Sequence, residues 1–244
     1  MLSYNDVFNE LQDYILDEDR INKSIKLKLL PVKQEPAKTA PRPSQKPALF
    51  IPSQQDSLFW CFYILKNGEA DYETINNKNA LVAKQQKIEL VSTIRNNKDI
   101  VKTYKFDTIT NIENNLANDQ TLNVKAFLTL CAIENINVVY VNNKTYYESL
   151  MNDTDIIYII HELPAQSKYH KKYGYELAKE GTLNNIRTSL YKLNVIDKPV
   201  KGMSSYKVSE LLDICSKLEI EVVNKETGKN KTKNDLYESI IQYF

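Results

Sequence analysis

The sequence predicts a mixed α/β (α+β) central domain with an amphipathic helix and a Pro-rich linker ahead of it and a two-helix module behind. Three observations carry this. The segment SLFWCFYIL is apolar on every side, which suits a helix at the centre of a core. Past the middle of the chain, runs rich in β-branched and aromatic residues alternate with stretches at helical spacing. Six of the eight prolines fall between Pro31 and Pro52, so a spacer separates the start of the chain from its body. The expected divisions are 1–27, 28–52, 53–198 and 199–244.

The first segment places Tyr4, Val7, Phe8, Leu11, Tyr14 and Ile15 on one helical face, with Ser3 and Asp6 as a cap. A short helix behind a linker either packs back onto the body or docks into a protein partner's groove. In the central domain, Asp56 is a suitable N-cap for the apolar helix and Gly68 a suitable stop. Helices are expected over 80–95, 122–134 and 182–193, and strands over 137–141, 145–148, 156–162 and 168–177. The residues Asn142 to Lys144 suit a hairpin turn. Pro199 and Gly202 mark a second break, after which Leu211, Cys215, Leu218, Leu236 and Ile240 outline two helices joined by a lysine-rich loop.

Composition excludes several functions. With 42% hydrophobic and 26% charged residues the chain has enough apolar surface to fold. A net charge of +1 leaves no whole-chain field toward nucleic acid, so any such contact belongs to a local patch. No apolar run reaches the roughly 18 residues of a membrane span, so no membrane partner is expected. The acidic start (Asp6, Glu10, Asp13) is unlike a secretory signal. The three scattered cysteines form neither a disulfide framework nor a zinc spacing, which points to an intracellular setting. Five glycines leave little room for a phosphate-binding loop, and no cofactor or metal site is read.

The last segment carries the most specific resemblance. YKVSELLDICSKLEI followed by GKNKTKNDLYESI resembles the SAP family of two-helix DNA-binding modules. The resemblance implies weak, sequence-independent DNA contact through Lys229, Lys231 and Lys233, with Thr232 as the cap of the second helix. Backbone amides at that helix start would join them, since an anion is favoured there. The alternative is a solvated charged loop on a hairpin used for protein contact.

The central domain resembles the papain-like peptidases, and more narrowly the ovarian-tumour-type deubiquitinases. Gln54-Gln55-Asp56-Ser57-Leu58-Phe59-Trp60-Cys61 resembles the start of their central helix, LNVKAFLTLCAIENINVVYV their second helix and following strand, and DIIYIIHE with KYHKKYGYEL their late hairpin. Two alignments are open. In the first, Leu58-Phe59 fixes the register, Ser57 stands at the nucleophile's position, Cys61 is a core residue and the domain is inactive. In the second, Cys61 is the nucleophile, Gln55 the oxyanion donor and His170 the general base, which implies a thiol peptidase acting on a ubiquitin-like protein. Glu176 and Asn143 are the orienting groups by type alone, and His161 reads as a structural histidine ending a strand.

The abundance of Asn, Lys, Ile and Tyr, with an eccentric peptidase-like core and a terminal SAP-like hairpin, resembles proteins of the nucleocytoplasmic large DNA viruses. That resemblance implies a host cytoplasmic or nuclear location, or a place in the virion. The expected function is an adaptor: a peptidase-like domain without activity, tethered to DNA or nucleoprotein. The alternatives are an active thiol peptidase or a structural virion component.

Overall fold

The structure, a computed structural model, describes residues 49–75, 78–164, 171–224 and 228–244. The amphipathic helix expected over 1–27, nearly all of the linker, the loop lysine Lys225 and His170 lie outside these residues. Among the described residues, no helix is long and apolar enough to cross a membrane.

The mixed α/β expectation holds. The order is α1 (Ser57–Asn67), α2 (Glu69–Thr74), α3 (Ala80–Asn96), α4 (Lys98–Tyr104), α5 (Ile109–Asn118), α6 (Val124–Ile133), β1 (Val138–Asn142), β2 (Thr145–Ser149), β3 (Tyr158–Leu163), β4 (Lys172–Leu177), α7 (Glu180–Ser189), β5 (Tyr191–Lys192), α8 (Val208–Leu218) and α9 (Lys233–Tyr243). Asp56 caps α1 by accepting the Phe59 N–H, and the Gly68 N–H closes its end on Ile64. Asn79 and Asn123 cap α3 and α6 in the same manner as Asp56.

The five strands form one sheet in the order β4-β3-β1-β2-β5. β1 and β2 make a hairpin over Asn143-Lys144, with Asn142 opposite Thr145 and Asn143 at φ 50°. β3 lies parallel to β1 and antiparallel to β4, while β5 lies parallel to β2. Side-chain alternation then sends the two faces to different cores. Val138, Tyr140, Ile160, Tyr173 and Tyr175 join the main core with α1 and α6, where Trp60, Phe59, Phe62 and Phe127 are fully buried. On the opposite face Val139, Val141, Tyr146 and Ile159 pack against Ile186 of α7.

Two contacts close the free edge of β4. Phe50 exchanges backbone hydrogen bonds with Tyr175, and the Ser57 hydroxyl accepts the Tyr173 N–H at 2.8 Å. An uncovered edge would invite pairing with another chain. Gly174 allows this approach, because a Cβ there would stand 3.0 Å from the Phe50 carbonyl and 3.0 Å from Ile51.

The expected helix over 182–193 ends earlier, at Ser189. The next residues pair with β2 instead, with Tyr191 opposite Thr145. The last two helices have a small core of their own, built from Leu211, Ile214, Cys215, Leu218, Leu236 and Ile240.

Candidate functional site

The entrance to α1 is where the peptidase resemblance places a nucleophile. Ser57 opens the helix, is 1% exposed, and has its oxygen occupied by the Tyr173 N–H. Cys61, one turn further in, is 0% exposed. Its Sγ lies 3.9 Å from the Tyr173 carbonyl. Burial first, and the Asp56 carboxylate second, push the Cys61 thiol far above its ordinary range. The thiolate is the nucleophilic form, so a thiol held protonated in an apolar interior does no attack. The helix begins at Ser57, which buries the sulfur a turn inside, at the position the second alignment gives its nucleophile.

Gln55 is the oxyanion donor of that reading. Its amide reaches the Gln120 side chain at 3.4 Å and it lines a cavity. The described histidine, His161, stands on the α7 side of the sheet, since it alternates with Ile160 of the main core. Its Nε2 meets Glu176 Oε1 at 2.9 Å. The orienting candidates Glu176 and Asn143 are also placed away from the entrance, on β4 beside His161 and in the β1–β2 turn.

What the entrance does hold is a buried ion pair. Asp56 accepts the Phe59 and Leu122 N–H groups and pairs with Lys87 of α3, which is 2% exposed and also donates to the Gln120 carbonyl at 3.1 Å. One carboxylate thus ties the start of α1, the middle of α3 and the loop before α6. Sequence reasoning missed Lys87, although a signal was present: it falls on the buried stripe Ala83, Lys87, Leu90, Ile94 of its helix. A second missed group is Glu162, which accepts hydrogen bonds from the phenols of Tyr140 and Tyr173 and pairs with Lys171 Nζ at 2.7 Å. Burial, then the contact with Glu162, raises the Tyr140 phenol, so it serves as a donor. Among the described residues no group of three or more His, Cys, Asp or Glu side chains could hold a metal ion.

The C-terminal lysines gather around the start of α9. Lys229 is exposed, Lys233 opens the helix, and Lys231 is half-buried with Nζ donating to the Ser239 hydroxyl at 2.9 Å. A bridge between Val223 and Asn230 braces the loop. Thr232 caps α9 reciprocally with Asp235, whose Oδ2 accepts the Thr232 N–H at 3.0 Å and the Thr232 hydroxyl at 2.8 Å. The carboxylate of Asp235 therefore occupies the helix start where the SAP resemblance implies a phosphate. Comparison with protein-family models, curated proteins and solved structures finds no match for this chain.

Proposed function

We propose that this protein is a non-catalytic binding protein, an α/β body with a papain-like arrangement joined to a C-terminal SAP-like module that holds nucleic-acid backbone. The burial of Cys61, with the Ser57 hydroxyl spent on the edge of β4, carries the non-catalytic part of the reading. The packing of α1 against the late β3–β4 hairpin supports the papain-like arrangement, since it brings the helix start to that hairpin at Tyr173. Lys229, Lys231 and Lys233 around one helix start support the backbone contact, because neutralised phosphates release counterions whatever the base sequence.

Two measurements test this on the full chain. Fluorescence polarisation with labelled duplex DNA should give binding whose logarithm falls with log salt at a slope of about −2 to −3, as three phosphate contacts require. Replacing the three lysines together (Lys229→Glu, Lys231→Glu, Lys233→Glu) should weaken binding by at least about tenfold at low salt. An unchanged isotherm would overturn the nucleic-acid part. A ubiquitin-vinyl-sulfone probe should leave the protein unlabelled. Labelling that disappears in Cys61→Ala would make the protein a thiol peptidase instead.

A further inference from the structure

The ion pair of Asp56 and Lys87 forms part of the wall of a cavity of about 310 Å³ beside the entrance to α1. That volume lies at the lower end of the range of small-molecule sites. One side is lined by Ala80 and Ala83, two small residues on consecutive positions of one α3 face that leave the space open, while Trp60, 1% exposed, adds almost no open surface. The remainder is polar, with side-chain amides that include Gln54, Gln55 and Asn118.

The charges in the wall are unevenly committed. Asp56 is neutralised by Lys87, and Asp119 accepts the Asn115 amide at 2.6 Å. Lys78 has its ammonium 4.5 Å from the Tyr72 ring centroid and donates to the Ile75 carbonyl at 2.9 Å. Lys84 is exposed and has no partner among the described residues. Three lysines thus face two carboxylates, and the uncommitted charge is positive. The start of α3 adds to the same field, because its first-turn N–H groups lack acceptors within the helix.

We propose that this cavity binds a small anion, a phosphate ester or carboxylate carrying a small apolar group. The anionic group would meet Lys84 and Lys78 at the start of α3, and the apolar group would lie against Ala80 and Ala83. A neutral ligand of the same shape would forgo the ammonium contacts and gain only the apolar wall. The inference is independent of the C-terminal lysines, so its failure leaves the nucleic-acid reading untouched.

Trp60 is the only tryptophan of the chain and borders this cavity, so intrinsic fluorescence reports on a ligand bound there. The full chain is titrated with phenyl phosphate, benzoate and benzyl alcohol, with ligand-observed saturation-transfer NMR on the same samples. Saturable binding of either anion, with benzyl alcohol at least about tenfold weaker, is the expected result. Whichever anion binds more tightly identifies the phosphate or the carboxylate source. Lys84→Glu should weaken the anion by at least about fivefold and Lys84→Arg should retain it, both changes lying at an exposed position. Ala80→Phe, also exposed, should block the mouth and abolish binding. The proposal is overturned by no saturable signal in either measurement, by benzyl alcohol binding as well as the anions, or by undiminished binding in Lys84→Glu.

Discussion

Asp56 shows how much one side chain decides in this fold. As the residue before an apolar helix it reads as a cap, and it is one. Its further partners, Lys87 and the Leu122 N–H, stand far along the chain, and no local pattern pairs them with Asp56. Both members of the pair are almost wholly buried. Removing one leaves a charge without compensation, which costs about 3–5 kcal/mol, whereas replacing both is far milder. Lys87→Met should therefore destabilise the protein by roughly that amount in denaturant unfolding. Adding Asp56→Asn, which keeps the cap, should restore a large part of the loss, with an interaction of roughly 2 kcal/mol across the cycle. Strict additivity of the two changes would mean that the pair is not coupled.

Among the elements, legibility followed the strength of the pattern. The helices α1, α3 and α6 and the four longer strands carry either continuous apolar runs or clear periodicity. The short helices α2, α4 and α5 do not stand out. In α4 and α5 the buried positions reduce to Val101 and to Ile112, Asn115 and Leu116, amid Asn, Asp and Thr that favour caps and turns. The start of α9 gives a prediction at this scale. The Thr232 side chain, and then its backbone N–H, hold the Asp235 carboxyl below the usual carboxylate range. A lowered folded-state pKa means that the cap contributes stability above the unfolded carboxylate pKa and loses it as pH falls through the folded value. The Thr232 amide resonance should thus titrate at lower pH than a free aspartate would dictate. In Thr232→Ala the Asp235 titration, followed by its own side-chain resonances, should move back up. Identical midpoints in the two proteins would show that the reciprocal cap does not form in solution.

For the whole molecule, the three cysteines report on how the cores are divided. Cys61 and Cys131 belong to the main core and Cys215 to the small core of α8 and α9, and all three are fully buried. No cysteine should react with Ellman's reagent in the native state. A core of six buried side chains encloses far less apolar surface than the main one, and local stability follows that surface. Under rising denaturant, mass spectrometry should find Cys215 alkylated at lower concentration than Cys61 and Cys131. Simultaneous labelling would show that the C-terminal helices and the body unfold together.

By itself the sequence determined the mixed α/β class, the helix that fills the centre, its cap, the place of the first hairpin's turn and the pair of terminal helices. Each follows from residues within a few positions of one another: apolar spacing, a capping side chain, a turn residue. The tertiary structure alone decided that Ser57 closes a strand edge, that Lys87 is buried against Asp56, that Tyr191 leaves its helix to pair with β2, and that Gln55 faces a cavity. Those outcomes depend on which distant backbone and side-chain groups arrive at the same place, and a buried polar group takes whatever partner packing brings to it.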